Sequence, residues 1–419
     1  MAQPAAVTPA KRPRVVIVGA GFGGLEAARA LAHAAAEVVV IDAKNHHTFQ
    51  PLLYQVATAA LSPAAIAWPI RHLLKTQANA QVLMSRVVGV DPSAHEVFTE
   101  GGTIGYDQLV IAAGAAHSYF GRDGWEAFAP GLKTLEDALD IRRRILSAFE
   151  RAELAGQGKA PPELTTFVVV GGGPTGVELA GAIAEIARDA LKSEFRHIDP
   201  AASRIVLVEA GPRILPTFPD RLAADAARRL ARYGVVVMTG AKVVDIDATG
   251  VTLEDSRIAA ATVLWAAGVR AAPLLADLPG EHDRAGRARV GPDLSLPGHP
   301  EIFVIGDGAA LDGPPIPGIA PAAKQMGAYV GGVIARRLSG RPPPGPFRYR
   351  HAGDLATIGR GAAVVKVGPL QLTGLVGWLF WGFIHIYFLI GLRARFFVAL
   401  DWLWSYATYQ RGARLITGA

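Results

Sequence analysis

The 419-residue sequence contains no cysteine. This absence excludes disulfide bonds, thiolate metal sites, iron–sulfur clusters and any cysteine nucleophile. Without disulfides, the composition gives no reason to expect an oxidising compartment. The length exceeds the ~100 to 200 residues usual for one domain, so we expect two or three domains with sizeable cores.

Clusters of charge of one sign are also missing. The formal net charge is +6 and the isoelectric point is near 9.6, but lysine and arginine are spread along the chain. No nucleic-acid-binding motif is present, and we therefore expect no nucleic-acid partner. His46 and His47 stand side by side, yet no third ligand stands at useful spacing, so no metal site is predicted.

The N-terminus imitates a secretory signal, because Arg12 and Arg14 accompany the apolar run 15–18. A secretory segment, however, would not break into the glycine-rich stretch 19–24 and then continue with charged residues. We therefore expect the first domain to lie in the cytoplasm.

A glycine-rich fingerprint follows this apolar run. Residues 15–18 predict a strand, the pattern G-x-G-x-x-G over 19–24 a tight turn, residues 25–33 a helix, and 37–41 a second strand that ends at Asp42. The glycines allow the backbone to approach a pyrophosphate, and the helix N-terminus presents free N–H groups to it. A carboxylate about twenty residues on can accept hydrogen bonds from a ribose. This unit predicts dinucleotide binding.

The same pattern returns over 171–176, and Glu209 ends the strand that would follow its helix. The gap to this acid is longer than the usual ~20 residues, which predicts an extension near Pro200. Glu209 would repel a 2′-phosphate and so favours NADH over NADPH. Two such units indicate an imperfect duplication of one dinucleotide-binding domain. A glycine loop that serves packing alone is the alternative.

Three further strands lead into glycine-containing turns. Residues 108–112 lead to Ala113 and Gly114, and 263–266 lead to the equivalent pair, Ala267 and Gly268. Well after the second glycine-rich unit, a strand over 302–305 leads into Gly306-Asp307-Gly308. This last stretch resembles the third flavin motif of the two-dinucleotide flavoproteins, whose aspartate contacts the ribityl chain and pyrophosphate side of FAD. An ordinary strand-to-turn aspartate is the alternative for Asp307.

Three longer stretches resemble the type II NADH dehydrogenases, the single-chain NADH:quinone oxidoreductases. They are HHTFQPLLYQVA over 46–57, GGGPTGVELAG over 171–181 and APAAKQMG over 320–327. The resemblance covers nearly the whole chain. It implies FAD as cofactor, NADH as substrate and a membrane quinone as electron acceptor. No intramembrane relay of charged residues is present, so proton pumping is not expected.

Two residues become catalytic candidates through this resemblance. In the family, a glutamate in the second glycine motif sits by the nicotinamide and flavin, and Glu178 matches it. A carboxylate at this place also complements the helix dipole. The family stretch Ala-Gln-x-Ala-x-Gln matches at Ala320, Ala323 and Gln325, but Pro321 replaces its first glutamine. Gln325 is therefore the expected quinone-side contact, with a buried structural amide as the alternative.

The fingerprints and the resemblance together give the expected binding residues. Those expected to bind FAD are Gly19, Gly21, Phe22, Gly23, Gly24, Asp42, Ala43, Thr48, Val87, Ala113, Gly114, Asp307, Lys324 and Gln325. Those expected to bind NADH are Gly171, Gly173, Pro174, Thr175, Gly176, Glu178, Glu209, Ala267 and Gly268. A loop beside the flavin is the expectation for His46 and His47.

A distinct tail follows the prolines between 342 and 346. No Asp, Glu, Lys or Arg occurs from Gly374 to Leu392, a length close to the ~20 residues of a membrane-spanning helix. After two arginines, a second apolar stretch covers 396–406, interrupted by Asp401. Aromatic-rich apolar faces flanked by arginines suit helices that lie in the headgroup region. We expect a monotopic anchor, with a true span and a buried dimer surface as alternatives.

These observations predict an α/β protein with two Rossmann-like dinucleotide-binding domains, arranged as in glutathione reductase, and a C-terminal membrane-associating helical segment. The FAD-binding domain is expected over 12–130 and 297–345, and the NADH-binding domain over 131–296. The region 346–419 is expected to anchor the protein and to contribute to a homodimer.

The predicted function is that of an FAD-dependent NADH:quinone oxidoreductase, peripheral or monotopic at the cell membrane, with its catalytic domains in the cytoplasm. Related enzymes that pass electrons to disulfides, sulfide or persulfides through cysteine thiolates are excluded by the absence of cysteine. Two alternatives remain: a soluble NADH-dependent flavoprotein reductase of a redox protein, and a flavin-bound, membrane-associated interaction protein.

Overall fold

The computed structural model describes residues 12–408 and 411–417. Two compact units divide this part of the chain. The first unit takes in residues 12–47, 68–116 and 270–351, and the second takes in 48–67, 117–269 and the described residues from 352 onward. The predicted region 346–419 includes residues 409, 410, 418 and 419, which lie outside the described residues.

Both units combine short strands with helices. The strands are β1 (Arg14–Val18), β2 (Glu37–Asp42), β3 (His46–Thr48), β4 (Ala67–Pro69), β5 (Ala80–Met84), β6 (Val87–Asp91), β7 (Glu96–Thr99), β8 (Gly102–Gly105), β9 (Gln108–Ile111), β10 (Ala115–His117), β11 (Thr166–Val170), β12 (Arg204–Glu209), β13 (Val235–Thr239), β14 (Val243–Asp247), β15 (Gly250–Leu253), β16 (Arg257–Ala259), β17 (Thr262–Trp265), β18 (Val269–Ala271), β19 (Ala288–Arg289), β20 (Ser295–Leu296), β21 (His299–Val304), β22 (Ala309–Ala310), β23 (Asp354–Gly359), β24 (Ala362–Val367) and β25 (Leu370–Thr373). The α-helices are α1 (Phe22–Ala30), α2 (Leu53–Ala57), α3 (Pro63–Ile66), α4 (Ile70–Leu73), α5 (Leu135–Ala155), α6 (Pro174–Glu185), α7 (Asp220–Arg232), α8 (Ala320–Leu338), α9 (Gly374–Phe388) and α10 (Leu392–Thr408).

The first unit is built on a six-stranded sheet in the order β20-β21-β9-β1-β2-β5. Strand β1 pairs in parallel with β2 and β9, which places Val16 opposite Val39 and Leu109. All three side chains are buried, as expected for parallel strands that are covered on both faces. Helices α1 and α8 pack closely, because a Cβ at Gly327 would lie 2.1 Å from the carbonyl oxygen of Gly23.

The second unit repeats this arrangement on a smaller scale. Its parallel sheet has the order β13-β12-β11-β17, and Val168 lies opposite Val206 and Val263. The long helix α5 begins at a capping box, in which Thr134 and Asp137 satisfy each other's backbone N–H groups. An antiparallel meander, β14-β15-β16, completes this part of the unit.

The long gap before Glu209 contains the expected extension. Helix α6 continues into a π-helical turn over Ile186–Ala190, and a short 3-10 turn, Pro200–Ala202, precedes β12. The prediction of additional structure near Pro200 is therefore confirmed.

The C-terminal segment forms an additional layer of the second unit. Strands β23, β24 and β25 make an antiparallel sheet that lies against α6, where a Cβ at Gly181 would be 2.1 Å from the carbonyl oxygen of Ile358. Helix α9 follows the sheet directly, and a Cβ at Gly377 would be 2.7 Å from the carbonyl oxygen of Ala363. Glycines permit both close approaches.

The uncharged stretch from Gly374 does not form one helix. Helix α9 ends at Phe388 and α10 begins at Leu392. The three residues between them are not helical and interrupt the apolar stretch. Within residues 12–408 and 411–417, none of the helices combines the length and the apolarity needed to cross a membrane.

The predicted fold class is confirmed, since parallel strands of two sheets carry the two glycine loops and helices follow at the C-terminus. The helix predicted over 25–33 was placed too late: α1 begins at Phe22, because the last glycines of the fingerprint already form its first turn.

The predicted domain limits remain a prediction, and the compact units have other bounds. Residues 270–296 belong to the first unit, where Ala288 in β19 pairs with Ala309 in β22.

Candidate functional site

The first glycine loop connects β1 to α1 in the first unit. Gly19 has φ +95°, and a Cβ there would lie 2.4 Å from the carbonyl oxygen of Ala112. A Cβ at Gly24 would lie 1.8 Å from the carbonyl oxygen of Gly19, so both positions require glycine. At Gly21, by contrast, a Cβ would meet no atom of the described residues within 4 Å. The loop therefore leaves open space at the N-terminus of α1, where a pyrophosphate fits.

Asp42 is held beside this loop by backbone hydrogen bonds. Its carboxylate accepts from the N–H of Ala20 at 2.6 Å and from the N–H of Lys44 at 2.8 Å. Burial raises the pKa of Asp42, and the two hydrogen bonds act in the opposite direction. Each carboxylate oxygen accepts one of these bonds and has a second lone pair, which is suited to a ribose hydroxyl.

The second glycine loop, between β11 and α6, reproduces this geometry. Gly171 has φ +111°, and a Cβ there would lie 2.6 Å from the carbonyl oxygen of Ala266. A Cβ at Gly176 would lie 1.8 Å from the carbonyl oxygen of Gly171, whereas Gly173 faces no atom of the described chain within 4 Å. The three glycines therefore have the same roles as in the first loop.

Glu209 corresponds to Asp42 in this second loop. Its two carboxylate oxygens accept from the N–H groups of Gly172 and Gly211, each at 2.6 Å. In both units, therefore, the acid accepts one bond from an N–H of the glycine loop and one from the N–H of the residue two positions after the acid. The duplication inferred from sequence extends to individual hydrogen bonds.

The strand ends predicted to contact the dinucleotides differ in detail. Ala113 and Gly114 follow β9, next to the carbonyl group that closes on Gly19. Gly268 follows β17, where a Cβ would lie 2.9 Å from the carbonyl oxygen of Ser118. Trp265 donates a hydrogen bond from Nε1 to the same carbonyl at 2.9 Å.

The predicted flavin motif at Asp307 lies in a 3-10 turn, Gly306–Gly308, directly after β21. The Gly306 N–H donates to Sδ of Met326 in α8 at 3.1 Å. A Cβ at Gly23 in α1 would lie 3.2 Å from the carbonyl oxygen of Ala323. The first unit therefore brings the third motif and α8 against the helix of the first glycine loop.

Lys324 and Gln325 lie on α8 and already have partners. The Lys324 ammonium is 3.5 Å from a carboxylate oxygen of Glu26. The Gln325 side chain donates to the carbonyl oxygen of Arg350 and accepts from its N–H, both at 2.9 Å. This pairing gives the amide a structural role, but Gln325 is only partly buried and so differs from the buried amide of the alternative. One amide hydrogen and one lone pair remain beyond these two bonds. Its catalytic role stays a prediction.

His47 was considered from sequence only as part of a loop beside the flavin. The structure buries its ring next to the first glycine loop, with Nδ1 2.9 Å from the carbonyl oxygen of Ala20 and an edge-to-face contact with Phe22. Its Nε2 is buried with no hydrogen-bond partner among the described residues. Burial lowers the pKa of His47, so the ring is neutral at physiological pH.

The remaining predicted FAD residues are spread over both units. Ala43 directly follows β2, and Val87 begins β6, both in the first unit. Thr48 ends β3 and belongs to the second unit. Pro174 and Thr175 form the first turn of α6 beside the second glycine loop.

Glu178 lies in the second turn of α6. Its carboxyl accepts from the N–H of Thr357 in β23 at 3.4 Å. Burial raises the pKa of Glu178 to about 8, and this hydrogen bond lowers it only in part. The side chain is therefore a neutral carboxylic acid at pH 7, able to hold and release a proton near physiological pH.

Sequence reasoning missed a buried hydrogen-bonded group of side chains, one of which, Tyr54, lies near this carboxyl. Tyr54 is buried, and its pKa is raised by burial and by the nearby charge of Glu178. The Tyr54 hydroxyl accepts from Nε2 of Gln55 at 2.9 Å, and Oε1 of Gln55 accepts from Nε1 of Trp402 at 2.8 Å. The segment 46–57 was part of the family resemblance, but no sequence pattern linked it to a tryptophan almost 350 positions away.

The two C-terminal helices have a buried face and an exposed apolar face. Trp381 and Trp402 are buried and stack at 5.2 Å between ring centroids. The exposed apolar residues of the two helices are Leu375, Val376, Leu379, Phe383, Tyr387, Phe388, Leu392, Phe396, Phe397, Leu400, Leu403 and Trp404. So large an exposed apolar set is unusual for a soluble protein and marks an interaction surface.

Comparison with known proteins agrees with this arrangement. The sequence pattern of the pyridine nucleotide-disulphide oxidoreductase family matches residues 13–327. The type II NADH:quinone oxidoreductase Ndh of Mycobacterium tuberculosis is 45% identical, over 98% of this chain and 91% of that protein. The demethylphylloquinone reductase NdbB of Synechocystis is 30% identical, over 94% of this chain and 96% of that protein.

Solved structures share the fold. NDH2 from Plasmodium falciparum, determined in complex with NADH, superimposes with a TM-score of 0.87 at 20% identity and covers 97% of this chain and 100% of that chain. The sulfide:quinone oxidoreductase of Aquifex aeolicus has a TM-score of 0.73 at 19% identity, with 91% of each chain covered. A second protein of Mycobacterium tuberculosis, NdhA, is 43% identical and is also named a type II NADH:quinone oxidoreductase. The chain belongs to the type II NADH:quinone oxidoreductase family.

Proposed function

We propose that this chain is an FAD-dependent NADH:quinone oxidoreductase that does not pump protons. The observation that carries the proposal is the repeated glycine loop, in which an acid is bound in the same way in both units. When bound, FAD supplies the capacity to accept a hydride from NADH and to deliver two electrons to a quinone. The protein has to bind FAD and NADH, to orient them, and to supply protons to the reduced quinone.

The first loop is the proposed FAD site. The open space at Gly21 and the N–H groups at the start of α1 suit the pyrophosphate. Asp42 suits the adenosine ribose, and Asp307 suits the ribityl and pyrophosphate side. The absence of any side chain at Gly19 and Gly24 supports this fit, because a Cβ at either position would collide with backbone.

The second loop is the proposed NADH site. Gly173 provides the same open space, and Glu209 stands where a ribose 2′-hydroxyl would bind. Both Glu209 oxygens accept N–H bonds, which hold the carboxylate in place beside the loop. A fixed negative charge at this position repels a 2′-phosphate and supports NADH as the donor rather than NADPH.

Glu178 is the proposed proton-handling residue. Reduction of a quinone by two electrons also takes up two protons, and a carboxyl with a pKa of about 8 can donate one of them at neutral pH. Tyr54, which is buried and hydrogen-bonded to Gln55, lies close enough for the charge of Glu178 to raise its pKa.

The exposed apolar faces of α9 and α10 are the proposed membrane surface. Leu379, Phe383 and Leu403 are each more than half exposed. Arg393 and Arg395 lie in the first turn of α10, where they would meet lipid headgroups. We propose that the protein lies on the cytoplasmic face of the cell membrane and takes quinone from it. The homodimer stays a prediction, to be checked by sedimentation of the detergent-solubilised protein.

Absorption spectroscopy of the purified protein tests the enzyme function. We expect a bound flavin, loss of its visible absorbance on anaerobic addition of NADH, and recovery on addition of a short-chain quinone. Many turnovers per protein separate an enzyme from a flavin-bound interaction protein. Lack of flavin, or NADH oxidation only with a partner redox protein, would contradict the proposal.

A further inference from the structure

A cavity of about 300 Å³ opens beside the C-terminal end of α7 in the second unit. Arginines dominate its lining: Arg188, Arg229, Arg232 and Arg360, with Asp189 and Tyr233. The volume lies at the lower end of the range of roughly 300 to 1,000 Å³ that is usual for ligand pockets. The lining includes no residue of either glycine loop and none of the predicted site residues.

Two of the arginines also have structural roles. Nη1 of Arg188 donates to the carbonyl oxygen of Arg232 at 2.9 Å, which satisfies the end of α7. Nε of Arg229 is 2.6 Å from a carboxylate oxygen of Asp225. A guanidinium has five N–H donors, so neither contact exhausts its capacity to bind an anion.

The cavity keeps an excess of positive charge. Four arginines line it, whereas the nearby carboxylates are Asp189, Asp225 and Glu185. Glu185 is already neutralised by Arg411, at 2.6 Å in a largely buried ion pair. Planar guanidiniums match the oxygens of a phosphate group, which they bind through paired hydrogen bonds.

The cavity adjoins the exposed apolar surface of the tail. A Cβ at Gly374, the first residue of α9, would lie 2.9 Å from Nη2 of Arg229. The Arg360 guanidinium lies 5.7 Å from the ring centroid of Tyr406 in α10. Leu375 and Val376, which follow Gly374 directly, are each about 60% exposed. An arginine-lined cavity and an apolar surface therefore lie side by side.

We propose that this arginine cavity binds the phosphate of an anionic phospholipid, whose acyl chains lie along the exposed apolar residues of α9. A phospholipid has both a phosphate and long apolar chains to match these two neighbouring surfaces, and the membrane proposed to bind the tail supplies it. The inference rests on the membrane association proposed above and adds a preferred headgroup to it.

Vesicle flotation of the full-length protein tests the proposal. The probes are vesicles of phosphatidylcholine alone and of phosphatidylcholine mixed with phosphatidylglycerol. The cavity variant combines Arg188→Gln with Arg232→Gln. The matched control combines Arg151→Gln on α5 with Arg221→Gln, since both side chains are exposed and Arg221 lies on α7 about 16 Å along the helix axis from Arg232.

We expect the wild-type protein to bind anionic vesicles more tightly than neutral ones. An arginine near an anionic surface contributes about fivefold in affinity, so the cavity variant should lose roughly 25-fold on anionic vesicles and nothing on neutral ones. The control should lose much less. A single cooperative thermal unfolding transition and unchanged reduction of a water-soluble quinone would show that both variants are folded, although loss of the Arg188 hydrogen bond to Arg232 lowers the midpoint of the cavity variant.

Three results would overturn the proposal. Equal losses in the cavity and control variants would indicate diffuse attraction rather than a site. A wild-type protein that binds both vesicles equally would retain its membrane association but have no headgroup site. Stabilisation of the wild type by inorganic phosphate, absent in the cavity variant and without any vesicle preference, would assign the cavity to a free anion. Binding to neither vesicle would instead refute the membrane association itself.

Discussion

Glu178 is a carboxyl group whose surroundings oppose its ionisation. Burial raises its pKa from 4.5 to about 8. Between these two values the folded protein holds a proton that the unfolded chain has released, so the free energy of unfolding falls as pH rises, by up to about 1.4 kcal/mol per pH unit. Glu178→Gln should remove this slope and stabilise the protein near pH 8. Denaturant unfolding at several pH values measures the slope of the unfolding free energy against pH. The same slope in the wild type and in the variant would contradict the prediction.

The same ionisation should appear in catalysis. If Glu178 donates a proton to quinone, turnover of the wild type should fall as pH rises through about 8, because the carboxylate has no proton to give. Glu178→Gln should lower turnover by roughly 10² to 10⁴-fold and abolish this pH dependence. Glu150→Gln, on the exposed surface of α5, is the control and should keep the wild-type profile.

Trp402 links the tail to the segment that carries Tyr54 and Gln55. Its Nε1 donates to the buried amide of Gln55 at 2.8 Å, and Trp402→Phe removes this donor while keeping an aromatic ring beside Trp381. We expect a loss of about 1 to 3 kcal/mol in the free energy of unfolding, because a buried acceptor loses its partner. Trp404→Phe, at an exposed position in the same helix, should change stability by less than about 0.5 kcal/mol. Equal effects of the two substitutions would argue against a structural role for the hydrogen bond.

At the scale of elements, each glycine loop has one glycine that leaves space for a ligand and others that the fold itself requires. Gly173→Ala places a methyl group in open space, whereas Gly176→Ala places one 1.8 Å from the carbonyl oxygen of Gly171. We expect the Gly173 variant to fold, to keep its flavin spectrum and to show a raised KM for NADH, because the methyl group stands where the pyrophosphate binds. The Gly176 variant should be strongly destabilised. A normal KM in a folded Gly173 variant would place NADH elsewhere.

At the scale of the whole molecule, the exposed leucines of the tail should decide membrane binding. Leu379→Ser removes an exposed leucine from α9, and Leu154→Ser removes one from α5, where it is 88% exposed. Burial of a leucine in an apolar phase contributes about 1.5 kcal/mol or more, so Leu379→Ser should weaken flotation with neutral vesicles about tenfold. Leu154→Ser should not change it. If the tail does not contact lipid, the Leu379→Ser and Leu154→Ser variants will float equally with neutral vesicles.

The sequence by itself determined the two dinucleotide loops. Tight turns, buried apolar strands and an acid at the end of the second strand are local requirements, and they can be read over about twenty to forty positions. For the same reason the family resemblance identified FAD, NADH and quinone before any coordinates. The extra structure before Glu209 followed from spacing alone.

Only the tertiary structure decided how distant segments combine. It buried Gln55 against Trp402 and brought Thr357 to Glu178, contacts that span more than 170 positions and leave no pattern in a single sequence. It also bound Gln325 to Arg350 and split the uncharged stretch into two helices. Such outcomes depend on which side chains fill the space between elements, and packing of this kind is a property of the folded chain and not of any segment of it.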